Sequence, residues 1–216
     1  MDLWHSWTSL LASALGMMTG PLGLSEAMAI ILLTLMARAM MMPVSLASAL
    51  RMEANKQKMK GLQPEIDALK KRYQDNSSRL AAETMRLYRE RDIRLLDRLT
   101  LANIGTQSVF GIGLFQVLSK SAWSSKFLWI SRLAKPDLLL TVLVSALMLL
   151  GMAMMPGASA ETSMLVTMFI SVAVAAIALV ALPSSVGIYW AASNVVTVVQ
   201  ALLLRALVHR QRAAGV

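Results

Sequence analysis

The sequence has no cysteine, few charged residues and only two histidines, and each shortage excludes a class of site. Without cysteine there can be no disulfide, thiolate nucleophile or thiolate metal site. His5 and His209 stand near opposite ends of the chain, so neither a histidine metal site nor a serine–histidine nucleophile is expected. A GxxxxGK phosphate loop and an HExxH motif are also missing. We therefore expect no catalytic residue, no metal, no cofactor and no enzymatic activity.

Charged residues make up 15% of the 216 residues, whereas hydrophobic residues make up 56%. A soluble domain of this size cannot bury that much apolar surface, so the composition predicts a single membrane domain over residues 1–216. The net charge of +9 could indicate a nucleic-acid partner. Because the cations are concentrated in loops on one side of the apolar stretches, we expect no direct nucleic-acid binding.

Five apolar stretches approach the length of about 20 residues that a helix needs to cross a bilayer. They predict an all-α fold with transmembrane helices at 24–50, 99–118, 138–155, 164–182 and 186–208. Residues 51–98 hold 13 basic and 8 acidic residues and predict a helical hairpin that turns at 74–78. Residues 1–23 predict a helix lying at the outer membrane interface. Its apolar stripe consists of Trp4, Trp7, Leu11, Leu15 and Met18.

The distribution of lysine and arginine predicts the orientation of the chain. Five spans place residues 51–98, 156–163 and 209–216 on one side, with 15 cations, against four cations in residues 119–137. Since cytoplasmic loops carry the excess of cations, the N-terminus is predicted outside and the C-terminus in the cytoplasm. The first five residues contain no Lys or Arg, so no cleaved signal peptide is predicted.

Arg38 is the most informative residue, because it lies about twelve residues into the apolar run that begins near Ala27, or roughly 18 Å deep. A mid-bilayer arginine costs about 2.5–3.5 kcal/mol on insertion scales, so its surroundings must offset this cost. The nearest acidic residues lie outside the spans or at their edges; they are Glu26, Asp97, Asp137 and Glu161. Two interpretations stay open: a structural arginine bonded to polar neighbours, or a functional arginine in a water-filled groove. The residues expected to line such a groove are Thr34, Gln107, Tyr189, Trp190, Ser193 and Asn194.

Several stretches of the sequence resemble the YidC/Oxa/Alb family of membrane protein insertases. Residues 29–38 followed by Pro43 resemble the family's first core span, with its groove arginine and the threonine four residues earlier. Residues 62–66 resemble the start of the family's cytoplasmic hairpin, and residues 127–130 with 136–137 resemble its outer loop. The family's last span is resembled by residues 182–190 with Ser193, Asn194, Thr197 and Gln200. Their order and separations fit the family across residues 24–208.

The resemblance implies five helices around a hydrophilic groove, open to the cytoplasm and the lipid and closed on the outer side. Arg38 would attract the hydrophilic, often acidic, tail of a nascent membrane protein, whose apolar segment then enters the bilayer. Such an insertase and chaperone would act in the bacterial cytoplasmic (inner) membrane without consuming nucleotide. Nascent membrane proteins, membrane lipids, the ribosome and the Sec translocon would be its partners, and the chain would be a monomer.

The sequence departs from the family in a few places. Residues 93–97 and 103–106 stand where the family usually has Asn-Pro and Gly-Cys-x-Pro before its second span, and no long basic C-terminal tail follows residue 208. Ribosome binding through such a tail is therefore not predicted. Two other functions stay open: a channel or transporter subunit with Arg38 in an anion path, and a structural assembly factor of a membrane complex.

Overall fold

The computed structural model describes residues 2–93, 97–121, 123–156 and 162–213. Within these ranges the chain forms eight α-helices and no β-strand, apart from one isolated bridge between Phe127 and Ile130. The helices are α1 (Leu3–Thr19), α2 (Glu26–Gly61), α3 (Gln63–Arg72), α4 (Ser77–Glu90), α5 (Arg98–Lys120), α6 (Leu138–Met154), α7 (Thr162–Ala181) and α8 (Ser184–Ala213). The all-α prediction is confirmed.

Three of these helices, α2, α5 and α8, are long and apolar enough to cross a bilayer by length and composition. The other two apolar helices, α6 and α7, are shorter in their described apolar parts. The 17 residues of α6 span about 25 Å, at the lower end of the lengths found in transmembrane helices. The five apolar stretches are therefore helical as predicted, while their arrangement as five spans around a groove stays a prediction.

The chain divides into two compact units, residues 1–43 with 105–216 and residues 44–104. In the first unit α8 approaches α6 closely at Gly187. A Cβ on Gly187 would lie 2.6 Å from Leu140 Cδ2, so a larger side chain would displace the buried Leu140 side chain. Buried apolar residues surround this contact, among them Leu140, Val144, Leu179 and Val186. A glycine is therefore part of the packing between these two helices.

The α5–α6 loop covers one end of the first unit. Its carbonyl groups accept hydrogen bonds from the first residues of α8: Ser184 N–H to Lys135 O at 3.0 Å, and Ser185 N–H to Leu133 O at 3.1 Å. Leu133 is fully buried. At the start of α2, the Glu26 carboxylate accepts the Ser125 amide at 2.9 Å. These bonds tie the loop to the ends of two long helices and close that end of the unit.

The α1 helix packs against protein along the stripe that the sequence assigns to the membrane interface. Leu11 and Leu15 are buried, and Trp7 contacts the same apolar core. The Trp4 indole donates to Gln116 Oε1 at 2.8 Å, and the Trp7 indole donates to Val109 O at 3.2 Å. Because this helix carries both apolar and polar faces, its sequence alone does not distinguish lipid headgroups from a neighbouring helix as the partner.

In the second unit, α2 continues beyond the apolar stretch, whereas the sequence predicts the first span to end at residue 50. The helix ends only at Gly61, because residues 51–60 contain no helix breaker and backbone hydrogen bonding does not require apolar side chains. The hairpin helices α3 and α4 are 10 and 14 residues long. The first part of the segment predicted as the hairpin, residues 51–61, therefore belongs to α2.

The hairpin is held by a small apolar cluster. Its buried members are Leu62, Ile66 and Ile93, with Met59, Leu87 and Tyr88 packed around them. The chain turns at residues 73–76, between the end of α3 and the start of α4 at Ser77, so residues 77 and 78 of the predicted turn at 74–78 are helical. The Asn76 side chain caps α4 by accepting the Arg79 amide at 2.9 Å, which stabilises the helix start.

Candidate functional site

Arg38 lies where the three long apolar helices of the chain meet. From α2, its Nε donates to Ser193 Oγ on α8 at 2.9 Å, and its Nη2 donates to the same oxygen. Its Nη1 donates to Gln107 Oε1 on α5. The sequence placed Gln107 and Ser193 among the candidates for the surroundings of Arg38, and the structure brings both into contact with the guanidinium.

Both partners of Arg38 are neutral. Across the described ranges of the chain, no carboxylate lies within ion-pair distance of this guanidinium. A guanidinium has five N–H donors, and the protein acceptors described here take three of them, one from each nitrogen. One N–H on each terminal nitrogen is therefore left for water or for a bound ligand. The charge of Arg38 is positioned but not neutralised.

Two other sequence candidates bond within their own helices. Thr34, fully buried one turn before Arg38, donates its hydroxyl to Ile30 O at 2.7 Å. The Asn194 amide donates to Trp190 O at 2.9 Å. Among the residues that the structure describes, neither side chain forms a hydrogen bond with Arg38. Their roles in substrate binding stay predictions.

Tyr189 lies against α5, one turn before Ser193 on α8. Its ring packs edge-on against Phe110, with ring centroids 6.4 Å apart and planes at 65°. Its hydroxyl lies close to Gly111, since a Cβ atom added to Gly111 would be 2.9 Å from the hydroxyl oxygen. Phe110 and Gly111 were not among the predicted site residues, although Gly111 follows Gln107 by one helical turn and thus shares its face. Trp190 is partly buried and packs on the same apolar core.

A second polar arrangement lies within residues 44–104. Arg51 on α2 forms an ion pair with Asp97 at 2.8 Å, and the other Asp97 oxygen accepts the Thr100 amide at 2.7 Å at the start of α5. The hydrogen bond from Arg51, supported by those from Thr100, lowers the pKa of Asp97 from its usual value of 3.8 to about 2. The carboxylate therefore holds α2 to the first turn of α5 throughout the physiological pH range.

The described part of the chain contains no group of three or more His, Asp or Glu residues placed to hold a metal ion. What the first unit offers chemically is a fixed cation with two free donors, next to apolar helix surfaces. Such an arrangement can attract and bind an anionic or polar group by charge-assisted hydrogen bonds.

Comparison with known proteins identifies the family of the chain. The family model described as 60Kd inner membrane protein matches residues 17–211. The chain belongs to the YidC/Oxa/Alb family. Family membership and the long apolar helices together make it an integral protein of the bacterial inner membrane. The family resemblance drawn from the sequence is thereby confirmed.

The similar proteins bear the name membrane protein insertase. YidC 1 of Listeria monocytogenes serotype 4b is 31% identical over 193 residues, which are 84% of this chain and 64% of that protein. YidC of Fusobacterium nucleatum is 30% identical over 175 residues, 79% of this chain and 82% of that protein. YidC of Clostridium perfringens is 25% identical over 201 residues, 88% and 83% of the two chains. The chain therefore spans less than two thirds of the length of the Listeria relative.

Proposed function

We propose that the chain is a membrane protein insertase in which Arg38 captures the hydrophilic tail of a nascent membrane protein. The observation that carries the proposal is a guanidinium deep in an apolar helix with neutral partners and two remaining donors. The names of the family relatives, insertases all, support the same function. Clients would be nascent membrane proteins, and no chemical step is required of the chain.

The attraction between Arg38 and a carboxylate is strong enough for capture and weak enough for release. A carboxylate 4 Å from Arg38 would gain about 4 kcal/mol of Coulomb energy at an effective dielectric near 20, before desolvation costs. A carboxylate within the chain would cancel this attraction, whereas Ser193 and Gln107 fix the guanidinium without doing so. The client's acidic tail therefore meets a preformed site and can leave it again.

The covered end of the first unit suits a groove closed on one side. In the predicted orientation this end, formed by the α5–α6 loop, faces the outside. Water in the part of the groove between this loop and the cytoplasm would shorten the apolar barrier that a tail must cross. The apolar segment of the client would then pass between the helices into lipid. This five-span arrangement, its orientation and the groove are parts of the proposal.

Insertion into reconstituted vesicles tests the role of Arg38. Two clients are compared that differ only in their short translocated tails, one acidic and one with the acidic residues replaced by Asn or Gln. Arg38→Ala should slow insertion of the acidic-tail client at least about tenfold, because the loss of a few kcal/mol of attraction outweighs a tenfold rate factor of about 1.4 kcal/mol. Arg38→Glu should slow it further.

The neutral-tail client serves as the control, and its insertion should change little in either variant. Equal rates for the acidic-tail client in the native chain, Arg38→Ala and Arg38→Glu would show that the charge of Arg38 plays no part in capture. Ion flux through vesicles without any client would instead support a channel, with Arg38 in an anion path.

A further inference from the structure

A polar cleft lies within residues 44–104, apart from the Arg38 site. It has a volume of about 640 Å³ and is lined by Arg51, Ala54, Asn55, Lys58, Asp92, Asp97 and Arg98. Arg51, Asn55 and Lys58 follow one another at intervals of four and three residues and therefore share one face of α2. Arg98, the first residue of α5, completes the basic part of the lining.

The three cations of this cleft differ in whether they have a partner within the protein. Arg51 is paired with Asp97. Lys58 and Arg98 are exposed and have neither an ion pair nor a side-chain hydrogen bond among the residues that the structure describes. The lining holds three cations and two carboxylates, Asp92 and Asp97, so it keeps one net positive charge and attracts an anion.

The place of the cleft along the sequence indicates which anion it meets. Arg51 directly follows the apolar stretch that ends at Leu50, and Arg98 directly precedes the one that begins at Leu99. The Arg51–Asp97 ion pair joins these two points in space. Basic residues at the ends of apolar helices lie at the level of the lipid headgroups, where the cytoplasmic leaflet of a bacterial membrane carries negative charge.

We propose that this cleft binds the phosphate-bearing headgroup of an anionic phospholipid, with Lys58 and Arg98 as the charged ligands and Asn55 as a neutral neighbour. A headgroup bound there would bridge α2 and the start of α5, in parallel with the Arg51–Asp97 pair. The site is independent of insertion: it depends only on the chain being embedded in a membrane.

Lipid retention by the purified full chain tests the site. The chain is reconstituted in mixed micelles with phosphatidylglycerol or phosphatidylcholine as the probe, and the bound lipid is measured by native mass spectrometry. The native chain should retain phosphatidylglycerol and not phosphatidylcholine. Lys58→Gln combined with Arg98→Gln should weaken this binding about 30-fold, since each cation near an anionic surface contributes roughly fivefold.

A matched variant separates a built site from diffuse attraction. Lys71→Gln combined with Arg89→Gln also removes one lysine and one arginine, both exposed and on α3 and α4 of the same hairpin. This variant should retain phosphatidylglycerol as the native chain does. Lys58→Arg with Arg98→Lys should restore binding and exclude misfolding as the cause of the loss.

Three results would overturn the proposal. Equal losses in the two double Gln variants would show that only net charge matters, and equal retention of the two lipids by the native chain would show that the charge of the headgroup does not matter. Displacement of phosphatidylglycerol by millimolar glycerol phosphate would show that the cleft takes a soluble phosphate compound rather than a lipid.

Discussion

At the scale of single residues, Arg38 shows how an apolar bundle can hold an unpaired charge. Ser193 receives two guanidinium N–H groups and Gln107 receives a third. Hydrogen bonds to charged groups contribute about 1.5–3 kcal/mol each, so even two of them match the insertion cost of about 2.5–3.5 kcal/mol. Neutral acceptors can therefore offset burial while leaving the charge available to a ligand.

This balance predicts the effect of removing the shared acceptor. Ser193→Ala should lower the free energy of unfolding by about 1–3 kcal/mol, because the Arg38 Nε and Nη2 lose their common acceptor inside the bundle. Unfolding of the reconstituted chain by SDS, followed by circular dichroism, measures the change. Asn194→Ala is the neighbouring control: its amide bonds only to its own helix, so its effect should stay below about 1 kcal/mol. Equal effects of the two variants would contradict the geometry given for Ser193.

Asp97 predicts a dependence of stability on acid pH. Its folded-state pKa, near 2, lies below the ordinary 3.8, so the stabilisation that it provides is complete above about pH 4 and is lost as the pH falls towards 2. Asp97→Asn should lower the melting temperature at pH 7 by up to about 4 °C, because the amide oxygen can still cap α5 but the ion pair with Arg51 is lost. The difference between this variant and the native chain should shrink between pH 4 and pH 2.

Asp75→Asn, in the exposed hairpin turn, is the control for the loss of one carboxylate. Its melting temperature should match that of the native chain over the whole pH range. A difference between Asp97→Asn and the native chain that stayed constant down to pH 2 would rule out the Arg51–Asp97 contact as its source.

At the scale of helices, close contacts at glycine decide which apolar face meets which neighbour. On α5, a Cβ at Gly113 would lie 2.5 Å from the Trp7 indole nitrogen and 3.1 Å from a methyl group of Leu11. A Cβ at Gly105, two turns earlier, would meet no atom within 4 Å. The same substitution should therefore have opposite effects at the two positions.

Gly113→Ala should destabilise the chain, because the cost of about 1–3 kcal/mol for an overpacked contact exceeds the gain of about 1 kcal/mol in helix propensity. Gly105→Ala should be neutral or slightly stabilising, because alanine has the higher helix propensity and its Cβ meets no atom there. Thermal unfolding of both variants measures the difference, and faster proteolysis of α1 in Gly113→Ala would locate it. Stabilisation by Gly113→Ala would show that α1 does not pack on α5 at this point.

At the scale of the whole molecule, the number of helices that cross the membrane determines on which side each connection lies. With α2, α5 and α8 alone crossing, both termini would lie where the five-span prediction places them. The connection between α6 and α7 distinguishes the two arrangements, since five spans place it in the cytoplasm and three spans place it outside. Because α6 has only 17 residues, close to the shortest length of a transmembrane helix, the side on which this connection lies decides whether α6 crosses the membrane.

The chain contains no cysteine, so a single introduced cysteine reports one position without background. With a membrane-impermeant maleimide in spheroplasts, Lys126→Cys should be labelled and Lys71→Cys should not. Five spans predict that Ser159→Cys, in the α6–α7 connection, is labelled only after the membrane is opened. Labelling of Ser159→Cys in intact spheroplasts would leave three spans, and labelling of Lys71→Cys would reverse the predicted orientation.

The all-α fold, the apolar stretches, the approximate place of the hairpin turn and the family could all be predicted from the sequence, because periodicity, length and turn residues are local properties. The sequence also placed Gln107 and Ser193 among the candidates around Arg38. The structure was needed to show that these two contact the guanidinium while Thr34 and Asn194 bond within their own helices. It was also needed to show that α2 continues to Gly61 and that the α1 stripe packs on α5. Each of these outcomes depends on the rotation of a helix or on its neighbour, and several faces of one apolar helix satisfy the same sequence pattern.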